Sequence, residues 1–143
     1  MSDEVTAPEE QKKEEERPEE AVGLDLPGIL RSTDGAPTQE EIDKWKAEYG
    51  DIFVSAFSDT ELFVFRAITR GEWVELQKQL SQQEGGFSQY DIEDALSQTC
   101  VLWTSAPNSV MGKAGTLSVL NEWIMSQSNF MNPAQAAALV AKL

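Results

Sequence analysis

The segment from Phe63 to Trp73 constrains the fold more than any other part of the chain. It opens with Phe63, Val64 and Phe65, an apolar run of aromatic and β-branched residues that is typical of a strand. Thr69 and Glu72 have the spacing of a capping box, in which the threonine hydroxyl and the glutamate carboxylate accept hydrogen bonds from backbone N–H groups at a helix start. The sequence therefore predicts a strand that ends near Ile68 and a helix that follows at once.

A second apolar segment, residues 52–57, precedes this strand and has the same β-branched and aromatic character. The polar residues 58–61 separate the two segments, so the sequence predicts an antiparallel hairpin with a four-residue loop. A hairpin alone is only marginally stable in water. The helix predicted from Arg70 to about Gln83 can cover one face of the sheet through apolar residues at helical spacing, namely Trp73, Leu76 and Leu80.

Further helices are predicted along the rest of the chain. Thr38 and Glu41 cap a helix that Gly50 ends. Ser88 or Gln89 starts a helix that continues into Trp103, and a loop occupies residues 106–115. The remaining helices are predicted over residues 117–128 and, from Asn132–Pro133 onwards, over the Ala-rich residues 132–143. The predicted fold class is α+β, a β-hairpin packed by a predominantly helical small domain.

The N-terminal region differs in composition from the rest. Residues 1–20 are mostly Glu, Lys and Pro, which bury too little apolar surface to offset backbone entropy, so residues 1–37 are predicted to be a disordered acidic arm. One apolar island, residues 22–30, interrupts the arm. It is either a docking peptide for a partner or an arm that packs on the chain's own domain. The predicted domain boundaries are 1–37 for the arm, 38–131 for the folded domain and 132–143 for the C-terminal helix.

The net charge limits the kinds of partner. The chain carries 25 acidic and 11 basic residues, a formal charge of −14 at pH 7. An acidic surface repels phosphate backbones and anionic lipids, so direct binding to nucleic acid or to membranes is not expected. We expect a protein partner instead, with a basic surface as the favoured kind. No apolar run reaches the length of a membrane span, and the sequence predicts a soluble intracellular protein.

Side-chain chemistry argues against an enzyme. The chain contains no histidine, the commonest general base and metal ligand, and Cys100 is its only cysteine, so an intrachain disulfide cannot form. The carboxylates of Asp91, Glu93 and Asp94 form either a solvated helix face or a weak metal site. Residues 112–116 contain glycines and a lysine but depart from a phosphate-binding loop, since Ala114 stands where Ser or Thr is required. We expect no catalytic residues, no cofactor and no bound metal.

Eight residues are candidates for partner binding. The apolar island supplies four of them, and Trp45 and Trp123 are aromatic residues of a kind enriched at binding hot spots. Arg66 and Arg70, at the junction between strand and helix, either pair with local acids such as Glu72 or Asp59 or hold a partner's carboxylate. The candidates are Leu24, Leu26, Ile29, Leu30, Trp45, Arg66, Arg70 and Trp123.

The block from Trp45 to Trp73, which contains Tyr49-Gly50-Asp51 and Phe65-Arg66-Ala67-Ile68-Thr69-Arg70-Gly71-Glu72-Trp73, resembles small tail-assembly proteins of contractile-tailed bacteriophages. These are tail assembly chaperones or baseplate hub assembly proteins. The likeness continues in Cys100-Val101-Leu102-Trp103 and in Ala114-Gly115-Thr116-Leu117, and it spans about two-thirds of the chain.

The resemblance implies a non-enzymatic protein that contacts other phage tail or baseplate proteins. It also implies a location in the host bacterial cytoplasm during assembly, or in the virion as a minor component. The charge supports one alternative from the residues alone: an acidic regulatory protein that covers the basic surface of a nucleic-acid-binding partner.

Overall fold

The computed structural model describes residues 23–143, and this part of the chain forms seven helices and one three-stranded antiparallel sheet. The α+β fold class predicted from the sequence is confirmed. The elements are, in chain order, α1 (Leu26–Ser32), α2 (Gln39–Tyr49), β1 (Ile52–Ser58), β2 (Glu61–Arg66), α3 (Arg70–Ser81), α4 (Gln89–Cys100), β3 (Val101–Thr104), α5 (Asn108–Met111), α6 (Thr116–Gln127) and α7 (Pro133–Ala137).

The described part of the apolar island packs on the domain. Asp25 caps α1 by accepting a hydrogen bond from the Gly28 N–H at 3.2 Å, and Leu30 is buried. The helix contacts β1, so the packed-arm alternative is the one seen in the structure, and the folded part begins before residue 38. Of the disordered arm predicted over residues 1–37, residues 1–22 lie outside the described residues, and Leu26–Ser32 is helical.

Two capping boxes fix the starts of α2 and α3 as predicted. Thr38 pairs with Glu41 and Thr69 with Glu72, each threonine oxygen accepting from the glutamate's backbone N–H at 3.2 Å. Gly50 ends α2 at a positive φ of 87°, a conformation that glycine adopts without a steric penalty.

The hairpin forms as predicted, but its turn is shorter. Ser58 and Glu61 belong to the strands and pair with each other, leaving Asp59 and Thr60 as a two-residue turn in place of the predicted loop. The Ser58 hydroxyl donates to the Glu61 carboxylate at 2.6 Å, and the register shifts between Ala56 and Ser58. A bulge of this kind supplies the extra twist that a tight turn requires.

The prediction that α4 continues into Trp103 was wrong. The helix ends at Cys100, and Val101–Thr104 forms β3 against the far side of β2. Leu62 anchors this pairing, because its N–H donates to the Ser105 hydroxyl at 2.9 Å and its carbonyl accepts from the Thr104 hydroxyl at 2.8 Å. These partners lie more than forty residues apart in the chain, beyond the reach of local patterning.

The sheet is the middle layer of three. β2 is its central strand, and successive side chains point to opposite faces. Phe63 and Phe65 pack in a first core cluster with α3, α4 and α6, which includes Leu76, Leu96, Leu120 and Ile124. Leu62 and Val64 pack in a second core cluster with α1 and α2, which includes Leu30, Ile42 and Trp45. All four tryptophans are half-buried against these clusters.

Two further predictions are corrected near the C-terminal end. The predicted loop over residues 106–115 contains the short helix α5. The predicted Ala-rich helix over residues 132–143 is shorter, because α7 ends at Ala137. Residues beyond Ala137 are exposed and pack on neither core cluster, and a short helix without tertiary packing is marginally stable in water.

Candidate functional site

The junction between β2 and α3 holds the strongest polar contact in the described part of the chain. Arg66 ends β2, and its guanidinium donates to Glu72 in a bidentate pair, with Nη1–Oε1 and Nη2–Oε2 both at 2.8 Å. The Arg66 Nη2 group also donates to the Thr99 carbonyl at 3.1 Å, and the Tyr49 ring centroid lies 4.3 Å from its Cζ atom. This pair therefore links β2, α3 and α4 and satisfies the geometry that bidentate recognition requires.

Electrostatics follow from this geometry. Hydrogen bonding from Arg66 lowers the pKa of Glu72 from 4.5 to about 2, against the opposing effect of burial, and the Thr69 N–H adds to the lowering. The same hydrogen bond raises the pKa of Arg66. Burial raises the pKa of the Cys100 thiol to about 11, so this cysteine stays protonated at neutral pH. Glu72 and Arg66 are therefore both charged at neutral pH.

The Glu72 carboxylate should make stability depend on pH in acid. Its pKa is lower in the folded chain than the ordinary value of 4.5, so its contribution is complete above pH 4.5 and is lost as the pH falls towards 2. We expect the difference in Tm between the natural chain and the Glu72→Gln variant to shrink over this window. Thermal unfolding from pH 7 to pH 2.5 measures it, and a constant difference would contradict the assignment.

The structure places the eight predicted partner-binding residues in three separate locations: five near α1 and α2, two at the junction of β2 and α3, and Trp123 on α6. Leu24, Leu26 and Ile29 are half-buried, Leu30 is buried, and Trp45 packs with Leu26, Ile29 and Leu30 in the second core cluster. Arg66 is engaged by Glu72, whereas its neighbour Arg70 is exposed. Trp123 packs on the opposite face of the sheet against Phe57, with ring centroids 5.1 Å apart. These residues do not form one continuous surface.

The other side-chain clusters have structural partners. Asp91 accepts from the Ser88 N–H at 2.8 Å at the start of α4, and Glu93 accepts from the Ser118 hydroxyl at 2.9 Å. Within residues 23–143, no three His, Cys, Asp or Glu side chains converge as a metal site would require. The Thr116 hydroxyl donates to the Val110 carbonyl, which joins the residue 112–116 loop to α5.

Sequence reasoning missed an apolar groove at the end of α6. This C-terminal groove, of about 920 Å³, runs between α6 and α7. Its apolar lining includes Met125, Phe130, Met131 and Leu139, and Glu122 is its charged residue. Met131 and Leu139 remain 44% and 75% exposed, so large apolar side chains face solvent around a concave surface.

A folded loop fixes the wall of the C-terminal groove that contains Phe130. The Ser128 hydroxyl accepts from the Ile68 N–H at 3.0 Å and donates to the Ile124 carbonyl at 2.7 Å. Asn129 adopts a positive φ of 66°, which Asn tolerates better than most residues. The Phe130 ring packs edge-on against Trp73, with centroids 5.0 Å apart. The one available sequence signal was Phe130–Met131, an apolar pair that follows polar residues and precedes Asn132–Pro133.

Comparisons of the chain with protein-family models, with curated proteins and with solved structures gave no significant match. The resemblance to phage tail-assembly proteins therefore stays a prediction. No helix within residues 23–143 combines the length and the apolar character needed to cross a bilayer.

Proposed function

We propose that the chain is a non-enzymatic phage tail or baseplate assembly protein, or a minor structural protein of the tail, that acts through protein–protein contacts. The observation that carries this proposal is the C-terminal groove, whose apolar lining is exposed and includes Phe130 on a loop fixed by Ser128 and by the Phe130–Trp73 contact. Contiguous exposed apolar surface of this kind marks interaction sites in monomeric proteins.

The occupant we propose for the C-terminal groove is an apolar segment of another tail or baseplate protein, bordered by basic residues. Met131 is unbranched and flexible, and together with Leu139 and the aromatic ring of Phe130 it can pack around such a segment. Glu122 in the lining and the net charge of −14 favour a partner whose rim is basic. Arg70 and Trp123 remain predicted contributors to binding outside the groove.

The assignment to phage tails is supported by the resemblance over Trp45 to Trp73. In the fold this block comprises the end of α2, β1, β2 and the start of α3, which are consecutive elements on and beside the sheet. Its shared residues therefore have structural roles, such as the capping box of Thr69 and the ion pair of Arg66. The absence of histidine and the engaged carboxylates of Asp91 and Glu93 support a role without catalysis.

Removing the apolar lining should weaken partner binding without unfolding the domain. For the double variant Met131→Ser with Leu139→Ser, we expect recovery of tail proteins from infected cells to fall at least about tenfold, since the two anchor side chains together contribute about 1.4 kcal/mol or more. Affinity purification of the tagged chain followed by mass spectrometry measures this recovery.

The matched control is Tyr90→Ser with Val119→Ser, which removes two exposed apolar side chains outside the groove. This control should recover tail proteins as the natural chain does. Failure of the natural chain to enrich any tail or baseplate protein would contradict the proposed function. Mass spectrometry of purified particles beside the lysate then distinguishes a tail component, present at a fixed ratio, from an assembly chaperone, present only in the lysate.

The net charge of −14 favours one alternative function, regulation of a nucleic-acid-binding protein through its basic surface. In that case the captured partner would itself bind DNA or RNA. Its affinity for this chain would fall steeply with salt, and DNA would compete for it. Binding through the apolar C-terminal groove would instead depend less steeply on salt, and DNA would not compete for it.

A further inference from the structure

A second surface lies on the other side of the molecule, at the free edge of β1. The sheet order is β1-β2-β3, so β1 pairs on one side only. Within the described residues, no other backbone group bonds to residues 52–57. Most of β1 is half-buried although both of its faces pack, whereas its neighbour β2 is almost entirely buried. An edge of this kind can pair with an added strand.

The β1 edge lacks the usual protection against such pairing. Natural edge strands carry charged residues, especially lysine, or proline or a bulge. Residues 52–58 include no charged residue and no proline, and the bulge lies at the far end, between Ala56 and Ser58. Five residues, Ile52 to Ala56, are therefore open to pairing and rich in side chains that favour strands.

A groove of about 220 Å³ lies next to this edge, between α1, α2 and the sheet face formed by β1 and by Val64 of β2. We call it the edge groove. Its apolar lining includes Leu30, Ile42, Ile52 and Val54. Its size suits a single aliphatic side chain, and its position beside the paired backbone matches the pockets that give strand addition its sequence specificity.

The charge of the edge groove is opposite to that of the whole chain. Arg31 on α1 and Lys46 on α2 both line it and are exposed. Neither has a carboxylate within 4.0 Å in the described residues, where Arg66–Glu72 is the one salt bridge. Two unpaired cations beside an apolar lining are complementary to a ligand that presents an apolar side chain and a carboxylate together.

We propose that the β1 edge and the edge groove bind an extended acidic segment of a partner protein. The segment adds a strand beside Ile52–Ala56, and one aliphatic side chain enters the edge groove. An Asp or Glu two positions away lies on the same face of the added strand and pairs with Arg31 or Lys46. This surface is separate from the C-terminal groove and opposite to it in charge, so the inference does not depend on the proposed function.

Two other ligands could fill the edge groove, namely a second copy of the chain and the chain's own N-terminal segment. A second copy of the chain would bring two molecules of charge −14 together, and long-range repulsion opposes that association more strongly than it opposes one short acidic segment beside Arg31 and Lys46. The chain's own residues 1–22 contain acidic residues beside Val5 and Val22, so the experiment must distinguish them from a partner segment.

The test is a titration of the full ¹⁵N-labelled chain, followed by NMR. The probe is the capped peptide Thr-Glu-Thr-Leu-Thr-Glu-Thr, which places two glutamates and the leucine on one face of a strand. We expect saturable shifts in the amide signals of Ile52 to Ala56. The peptide Thr-Lys-Thr-Leu-Thr-Lys-Thr should leave these signals unchanged. Absence of shifts with the glutamate peptide would overturn the proposal. Because the titration uses the natural chain, its result does not depend on whether any variant folds.

Charge-reversal variants locate the site. Arg31→Glu with Lys46→Glu should weaken binding of the glutamate peptide about tenfold or more, since two favourable pairs become repulsive. Lys78→Glu with Lys113→Glu changes the net charge equally, at exposed lysines outside the edge groove, and should change the affinity less than about threefold. Equal weakening by both variants would overturn the assignment of the site.

The same variants identify self-occupancy. If the chain's own N-terminal segment fills the edge groove, Arg31→Glu with Lys46→Glu will shift the amide signals of residues 1–22 without added peptide. That result would overturn the partner proposal in favour of an internal ligand. Unchanged signals from residues 1–22 would support a groove that is open to a partner.

Discussion

The Phe63→Ala variant is expected to lose about 4 kcal/mol of unfolding free energy, because Phe63 is a large side chain at the centre of the core. Phe63 is fully buried on the central strand and packs against Phe57 and Trp123, with ring centroids 5.9 and 6.1 Å away. Removing a buried phenylalanine side chain costs about 3–5 kcal/mol, since the apolar transfer energy is lost and a cavity remains. The sheet and the helices of the first core cluster enclose this ring, so the site cannot collapse easily.

Urea unfolding monitored by tryptophan fluorescence measures this loss. Phe87→Ala is the matched control, because Phe87 is exposed and should cost less than about 1 kcal/mol. If Phe63→Ala does not fold, Phe63→Leu gives a measurable loss of about 1–2 kcal/mol. A loss for Phe63→Ala no larger than that for Phe87→Ala would place Phe63 outside the core and contradict the three-layer packing.

Local chemistry explains which elements the sequence predicted. The capping boxes of Thr38 and Thr69 define the starts of α2 and α3 because each involves residues only three positions apart. The hairpin was predicted from two adjacent apolar segments. Its turn length was not, since the bulge near Ala56 and the Ser58–Glu61 contact decide which residues pair.

Elements that depend on distant partners were predicted incorrectly or not at all. β3 forms because Leu62 offers its N–H and carbonyl to Ser105 and Thr104, and helical periodicity in Ile92 to Leu96 gave no sign of that contact. The sequence left α1 open between a packed arm and a docking peptide, since its position depends on the face of β1. The C-terminal groove depends on the left-handed Asn129 and the Ser128–Ile68 bond, which apolar patterning does not reveal.

The Arg66–Glu72 pair should show strong coupling in a double-mutant cycle. Glu72→Gln keeps a side chain suited to the capping box but leaves the Arg66 side chain, 8% exposed, without its counterion. Breaking a fully buried pair costs about 3–5 kcal/mol, and we expect about 2 kcal/mol here because Glu72 is 35% exposed and water screens it in part. Arg66→Met should cost less, since water can solvate the remaining carboxylate.

The double variant Arg66→Met with Glu72→Gln should be more stable than the sum of the two losses predicts, by about 1 kcal/mol or more. Once the buried cation is gone, Glu72→Gln removes a carboxylate that no longer has a partner. Urea unfolding of the natural chain, the two single variants and the double variant gives the coupling energy. Glu75→Gln is the control, because Glu75 is exposed one turn along α3 and contacts Gln79 but no cation in the described residues. Additive losses would show that packing alone holds the junction of β2, α3 and α4, and that the short contacts between Arg66 and Glu72 contribute nothing to it.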